Sequence, residues 1–362
     1  MTTGKEAMQH LQRARPPRLD DVDSRLDWET IVAQPRGHRT SSPGRLVLGW
    51  GLAGAVPIVA AAIALVLVGG QPTTPASPEQ RHSEASTPRE LLLVAATNAL
   101  KTKSTGRYFV TKTETGYVFS AKGYDVLGRR YAEDWEPRSA QDHPWGVGQH
   151  LGAAPFGPGS EAAWRADGSP TSWTIPGNGK NPDATTVTAA AGPRTVGGSI
   201  VVKTGSGPTN WARAFVLGGQ VVSAETMATL PTDAARLRAW LTERYNADPD
   251  PLMTNQDRLI DDALQLIAQM PVTAQVRSAA YQMLAELDTV QLLPAAADQR
   301  GRTGAAVALP VRYEDGVTTL RVIFNQDSGD VLSIEQLTAA GKLRGYTLTV
   351  SSGWTDEPPP AE

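Results

Sequence analysis

The sequence predicts an α+β fold: one transmembrane helix, followed by an extracellular domain in which an antiparallel sheet folds over two or three helices. Residues 46–70 form an apolar run without a single charge. A helix rises about 1.5 Å per residue, so this run spans a hydrocarbon core of about 30 Å. Downstream of it, two β-rich stretches flank a helical region, an order typical of α+β domains.

The orientation of the predicted membrane helix follows from the basic residues beside it. Arg36, Arg39 and Arg45 precede the run closely, whereas the first basic residue after it is Arg81. Because the more basic flank stays in the cytoplasm, we expect a single-pass protein of the cell membrane with a cytoplasmic N-terminus and an extracellular C-terminal domain. A cleaved signal peptide is the alternative, but it needs a shorter leader and an apolar stretch of about 7–15 residues. A buried core helix is disfavoured by the glycines and the proline within the run.

The organisation predicted around this helix has five parts. They are a largely flexible cytoplasmic tail with one short helix (1–45), the transmembrane helix in the lipid bilayer (46–70), a Pro/Ser/Thr-rich stalk (71–88), the extracellular α+β domain (89–354) and a flexible C-terminal tail (355–362).

The short helix of the cytoplasmic tail is the predicted docking element. Ser24 is a favourable N-cap residue for it. Leu26, Trp28 and Ile31 supply an apolar face that is too small to form a core alone. We therefore expect the helix to become ordered on a partner.

The first half of the outer domain is predicted to begin with a helix and continue as strands. The helix covers 90–101, where apolar residues recur at helical spacing. Alternating β-forming residues then predict three strands, a Pro/Gly-rich loop, a hairpin that turns at Asp167-Gly168, a further loop and two short strands. These segments cover 107–113, 117–124, 128–135, 136–160, 162–175, 178–198, 199–203 and 211–217.

The second half carries the clearest helical patterns. Helices are predicted over 232–245, over 254–270 up to Pro271, and from Thr273 to 287, because apolar residues recur there every three or four positions. Alternation then predicts a meander of strands at 291–293, 304–313, 318–324, 331–337 and 346–350.

Composition excludes several chemistries. The chain has no cysteine, so disulfides, thiolate metal sites and cysteine nucleophiles are ruled out. Its net charge is −3, without a strongly basic block, and we expect no nucleic-acid binding. His143 and His150 share a loop, but their spacing matches no metal-ligand signature. No catalytic, cofactor-binding or metal-binding residue stands out, and the sequence predicts a protein that is not an enzyme.

Four tryptophans are the main concentration of aromatic residues in the outer domain. Trp135, Trp145, Trp164 and Trp173 all fall in its first, β-rich half. Large aromatic side chains of this kind line ligand grooves and partner surfaces. The alternative is that they fill the core beneath the sheet and hold a long loop in place.

The layout resembles an uncharacterised actinobacterial family of single-pass membrane proteins that are often encoded beside extracytoplasmic-function sigma factors. The outer domain is also distantly similar to the sheet-over-helix fold of lipoprotein carriers. The segments that carry the resemblance are LQRARPPRLDDVDSRL (11–26), the apolar run, RLIDDALQLIAQMPVT (258–273), RSAAYQMLAEL (277–287), DQRGRTGAAVAL (298–309) and DSGDVLSIEQL (327–337).

The resemblance implies a membrane-bound regulator that binds a cytoplasmic sigma factor, although the chain lacks the cysteines of zinc-type anti-sigma domains. The expected function is therefore a non-enzymatic binding or regulatory role in the cell envelope, with an envelope ligand outside. An extracytoplasmic carrier of lipid or another apolar ligand is the first alternative. A membrane-anchored hydrolase is the second.

Overall fold

A mixed fold with a large antiparallel sheet and several helices makes up the described part of the chain. The computed structural model describes residues 87–139, 141–175, 184–198, 201–204, 207–210, 215–313 and 316–360. Within these ranges no helix is both long and apolar enough to cross a membrane. The predicted membrane run and cytoplasmic tail, including Leu26, Trp28 and Ile31, lie outside the described residues.

The main sheet has nine strands, each antiparallel to its neighbours. The last strand of the C-terminal meander pairs with the first of the described strands, so both halves of the domain share one sheet. In spatial order the strands are β11 (Gln291–Ala297), β12 (Thr303–Tyr313), β13 (Gly316–Phe324), β14 (Val331–Leu337), β15 (Leu343–Thr355), β1 (Tyr108–Ala121), β2 (Tyr124–Pro137), β3 (Trp145–Pro155) and β6 (Arg194–Gly198).

Three two-stranded hairpins accompany the main sheet. They are β4 (Ser172–Ile175) with β5 (Thr185–Thr188), β7 (Val201–Thr204) with β8 (Gly207–Asn210), and β9 (Phe215–Leu217) with β10 (Gln220–Val222).

Two consecutive helices in the second half of the domain begin at threonine caps. The Thr254 side chain accepts from the Asp257 amide, and the Asp257 carboxylate accepts from the Thr254 amide, which satisfies two otherwise unpaired donors. Thr273 caps the next helix in the same way through the Val276 amide, and Pro271 separates the two. The helices are α1 (Pro88–Ala99), α2 (Ser160–Ala166), α3 (Ala224–Ala228), α4 (Ala234–Ala247), α5 (Asn255–Ala268) and α6 (Ala274–Ala285).

Helices α1, α4, α5 and α6 form one buried apolar cluster with one side of the sheet, which we call the helical face. Tyr281 of α6 packs edge-on against Phe324 of β13, with ring centres 6.3 Å apart. The Asp257 carboxylate at the start of α5 accepts from the Arg312 amide of β12, which ties the helix to the strand. The sheet residues of the helical face include Val307, Leu309, Leu320, Val322 and Phe324.

The structure confirms the helices predicted in the second half of the domain and its five-stranded meander. The observed helices are Ala234–Ala247, Asn255–Ala268 and Ala274–Ala285, each within a few residues of its prediction. The meander strands are those given above, several of them longer than expected. Periodicity predicted this region well because buried apolar residues recur along each helix at intervals of three or four positions.

The predicted break between the first two strands is wrong. Residues 114–116 continue β1 without a turn, and the chain reverses instead at Lys122-Gly123, where both residues have positive φ, as two-residue hairpin turns require. Gly116 lies within the strand, and it is a glycine because the Tyr346 ring packs over this position: a Cβ at Gly116 would lie 2.1 Å from Tyr346 Cε1. A glycine that admits a neighbouring ring gives the same sequence signal as a turn glycine.

The predicted loop at 136–160 and the predicted hairpin at 162–175 are also wrong. Strand β3 runs through the glycine-rich segment Trp145–Pro155, because β2 and β6 supply partners on both of its sides. The Asp167-Gly168 pair ends helix α2 rather than turning a hairpin, with Gly168 at φ +85° and the Ser169 amide donating to the Trp164 carbonyl. The 178–198 stretch likewise contains strands β5 and β6.

Candidate functional site

The four tryptophans of the predicted ligand or partner surface lie in two separate pairs in the structure. Trp135 of β2 and Trp145 of β3 are direct cross-strand neighbours, with ring centres 6.3 Å apart and rings at 89°. Trp135 also meets Tyr108 of β1 edge-on at 6.0 Å. These rings lie on the side of the sheet opposite the helical face.

The other pair lies at the tip of the β1–β2 hairpin on the helical face. Trp173 is buried, packs edge-on against Phe119 and donates from Nε1 to the Tyr124 hydroxyl at 3.0 Å. Trp164 packs against the same cluster and donates to the Pro170 carbonyl. Both indoles are thus engaged in a local core that holds α2 and the β4–β5 hairpin, and the four tryptophans form no common surface.

The polar face, which we define as the side of the sheet that carries Glu114, Glu133 and Glu335, is the strongest candidate surface. Alternation along each strand and the cross-strand register bring these three glutamates to one side. All three are buried, with exposed fractions of 6%, 3% and 0%. Buried carboxylates require compensating donors, and each of these has them.

Glu133 of β2 accepts hydrogen bonds from donors on β1 and β2 and forms a longer ion pair with β6. One carboxylate oxygen accepts from Trp135 Nε1 at 2.8 Å and lies 3.2 Å from Lys112 Nζ, while the other accepts from the Tyr131 hydroxyl at 3.0 Å. Arg194 Nη2 of β6 lies 3.7 Å from the second oxygen. Burial acts to raise the pKa of Glu133, but the hydrogen bonds from Trp135, Tyr131 and Lys112 together lower it below its ordinary value. The carboxylate therefore stays ionised.

The tyrosines beside these carboxylates stay protonated. Burial, helped by the hydrogen bond to Glu133, raises the pKa of Tyr131 to about 12. The Tyr346 hydroxyl donates to Glu114 Oε1 at 2.7 Å, and burial followed by this hydrogen bond raises the pKa of Tyr346 above its ordinary value. Both phenols therefore act as fixed hydrogen-bond donors at neutral pH.

The loop between β11 and β12, residues 298–302, crosses the polar face. Arg300 donates from Nε and Nη2 to Glu114 Oε2, and Gln299 donates to Glu335. Arg302 pairs with Asp298 and donates to the backbone carbonyls of Leu332 and Thr349. The loop thus connects β1, β14 and β15.

Arg321 of β13 belongs to the same row of charged side chains, which consists of the three buried glutamates and the cations paired with them. It donates from Nε to Glu335 Oε2 at 2.6 Å, across a directly paired register position. The cations of the row are much less buried than the glutamates: 31% to 52% of each side chain is exposed. They are Lys112, Arg194, Arg300 and Arg321.

This arrangement is suited to binding rather than to proton transfer. Glu114 and Glu133 each accept on both carboxylate oxygens, and Glu335 accepts from Arg321 and Gln299. Carboxylates saturated by cations make poor general bases. A guanidinium has five N–H donors and uses only some of them here, so donors remain for a partner. Among the described residues no group of three or more His, Asp or Glu side chains is placed to hold a metal ion.

Sequence reasoning missed the polar face. The alternation Lys112, Glu114 on β1 and Tyr131, Glu133 on β2 is visible in the sequence, and it is typical of the solvated side of an antiparallel strand. Only the register shows that the glutamates are buried and lie in one row. No protein-family model and no curated protein matches this chain.

Proposed function

We propose that the protein is a single-pass, membrane-anchored, non-enzymatic binding or regulatory protein of the cell envelope. The apolar run 46–70 and the basic residues before it support the anchor and the orientation. The antiparallel sheet over a helical layer is then the extracellular domain. Its saturated carboxylates support a binding role over acid–base chemistry.

The observation that carries the binding role is the row of half-exposed cations on the polar face. Each cation is held by a buried carboxylate, so its remaining donors are oriented before a partner arrives. Preorganised donors lower the entropic cost of association. The partly exposed Trp145, which packs on the buried Trp135, extends the row with aromatic surface. The combination suits an acidic envelope component, such as an anionic polymer or an acidic protein surface.

The cytoplasmic tail supplies the second part of the proposal. Leu26, Trp28 and Ile31 give the predicted short helix one apolar side, and a sigma factor is the candidate partner. Occupancy of the outer domain would then be reported across the membrane by a change in this contact.

Crosslinking in a related host tests both parts. We expect full-length protein to capture an envelope component through the outer domain and a sigma factor through the tail. Trp28→Ala should abolish only the second capture, and Arg194→Gln should weaken only the first. Arg194 lies at 3.7 Å from its carboxylate and is 52% exposed, so this change should leave folding intact.

The matched control is Arg236→Gln, an exposed arginine on α4. Capture of envelope components that is the same in wild type and Arg194→Gln would contradict the role of the polar face. Recovery of no sigma factor with wild type would contradict the regulatory part.

The topology has its own test, because the chain contains no cysteine. Single substitutions Ser42→Cys and Ser77→Cys place one thiol on each side of the predicted span. A membrane-impermeant maleimide added to intact cells should label only Ser77→Cys. Labelling of Ser42→Cys alone would reverse the proposed orientation, and equal labelling of both would contradict a membrane span.

A further inference from the structure

Arg277, in the first turns of α6, is a buried cation whose guanidinium forms no hydrogen bond or salt bridge with the described residues. Its exposed fraction is 5%. Among the described residues its buried Nε atom has no hydrogen-bond acceptor. A buried charge is normally paired, because desolvating it alone costs several kcal/mol.

A second buried donor without an acceptor lies close by. Trp354 of β15 is the cross-strand neighbour of Phe109, and its buried Nε1 atom has no acceptor in the described part of the chain. The Arg277 guanidinium lies 5.8 Å from the centre of the Phe109 ring, and the Trp354 ring lies 5.4 Å from the same centre. Two side chains with a buried, unsatisfied donor atom therefore neighbour the same fully buried ring.

The neighbouring acceptors do not satisfy Arg277. The Asp330 carboxylate acts on the guanidinium electrostatically, but it forms no salt bridge with it. The Tyr281 hydroxyl, one helical turn along α6, donates to the Gly329 carbonyl instead. Helix α6 has no acidic residue in its first turn, so the positive end of its dipole adds to the positive potential here.

We propose that Arg277 and Trp354 Nε1 form a binding site for an oxyanion, a phosphate or carboxylate group, between the start of α6 and the paired ends of β1 and β15. The guanidinium supplies charge and planar donors suited to such a group, and the indole supplies a neutral donor. The Phe109 ring lies beside both side chains. The oxyanion is either free in solution or carried by a lipid head group.

This site is independent of the proposed function. It lies on the helical face, whereas the proposed envelope-binding surface is the polar face. A variant that abolishes binding at one site therefore leaves binding at the other site measurable.

Calorimetry on the full chain in phosphatidylcholine nanodiscs tests the site. The probes are inorganic phosphate, acetate and glycerophosphoglycerol, the water-soluble head group of phosphatidylglycerol. We expect saturable binding of at least one probe, with a dissociation constant that rises about tenfold or more in Arg277→Gln. Trp354→Phe keeps the ring but removes the donor, and should weaken binding by a smaller factor. Arg236→Gln, an exposed arginine on α4, should bind as wild type does.

The outcomes separate clearly. Binding of phosphate and glycerophosphoglycerol with equal affinity identifies a site for a free oxyanion, and preference for glycerophosphoglycerol identifies a lipid head group. Binding that is absent for all three probes, or that is unchanged in a folded Arg277→Gln, overturns the proposal. If Arg277→Gln fails to fold, Trp354→Phe carries the test, and unchanged affinity there overturns the part assigned to the indole.

Discussion

Two buried arginines on consecutive helices, Arg258 of α5 and Arg277 of α6, are used in opposite ways. Both are about 5% exposed, and both lie beside an aromatic ring, Tyr245 or Phe109. Arg258 donates to the backbone carbonyls of Tyr245 and Asp248 at the end of α4 and of Gly218 in the β9–β10 turn. The Arg277 guanidinium donates to no acceptor among the described residues.

Burial alone does not determine whether an arginine has hydrogen-bond acceptors. The Arg258 region is a completed structural connection among α4, α5 and the β9–β10 hairpin, in which Asp262 also accepts from the Gly218 amide and the Tyr245 hydroxyl at 2.8 Å. The Arg277 region has the same residue type without the acceptors. A buried cation whose donors are hydrogen-bonded stabilises a fold. A buried cation without acceptors reduces stability, and such groups are typical of functional sites.

Replacing each arginine by methionine should give the largest contrast. We expect Arg258→Met to destabilise the protein by about 3–5 kcal/mol, because three carbonyls lose the charged donor that satisfies them. Arg277→Met should be neutral or stabilising without ligand, because an unpaired buried charge is removed. Urea unfolding of the full chain, followed by tryptophan fluorescence, measures both. Equal destabilisation by the two changes would contradict the different contributions of Arg258 and Arg277 to stability.

Asp262→Asn probes the satisfied region next. It keeps the shape but removes the charge that accepts from Gly218 and Tyr245, and we expect a loss of about 1–3 kcal/mol. The control is Asp261→Asn on the same helix, whose carboxylate is less buried and accepts from the Tyr313 hydroxyl. If the control is as destabilising as Asp262→Asn in the same urea experiment, the special role of Asp262 is wrong.

Gly219→Ala tests how closely the hairpin fits Arg258. Gly219 has φ +80°, and a Cβ there would lie 2.4 Å from Arg258 Nη2. Gly301 has φ +77°, but a Cβ there would meet nothing within 4 Å. Backbone strain should therefore cost about 1 kcal/mol in Gly301→Ala and more in Gly219→Ala, where the clash adds to it. Thermal unfolding of the pair measures the difference, which should vanish if the Arg258 contact is loose.

Glu133 extends the comparison to a satisfied buried anion. Its pKa is lowered in the folded protein, so its contribution to stability is complete above the ordinary glutamate pKa of about 4.3 and is lost as the pH falls through the lower folded value. We expect Glu133→Gln to be less stable than wild type at pH 7, by about 1–3 kcal/mol, with a smaller gap below pH 4. Urea midpoints across this pH range measure the gap, and a gap that does not change with pH would contradict the lowered pKa.

The helices and the meander could be predicted because their signals are local. Leu259, Ile260, Ala263 and Ile267 repeat at helical spacing, and threonine caps mark where α5 and α6 begin. The strands in the first half of the domain were harder to predict from the sequence. Gly116 and the glycines of β3 are typical of turns in the sequence, but pairing with neighbouring strands keeps them extended.

The candidate sites could not be predicted for a different reason. Glu114 and Arg300 are 186 residues apart in the chain, and Arg277 and Phe109 come from different halves of the domain. Nothing in the local sequence distinguishes Arg277 from Arg258, since both are single arginines in amphipathic helices.

By itself the sequence determined the absence of cysteine chemistry, the apolar run and the positions of the main helices, because composition and periodicity depend only on neighbouring residues. Only the tertiary structure decided which charges are buried, which of them find partners, and which tryptophans meet. Those properties depend on strand register and on packing between distant segments, and the free energy of a buried charge is set by the acceptors that such packing brings within about 3 Å.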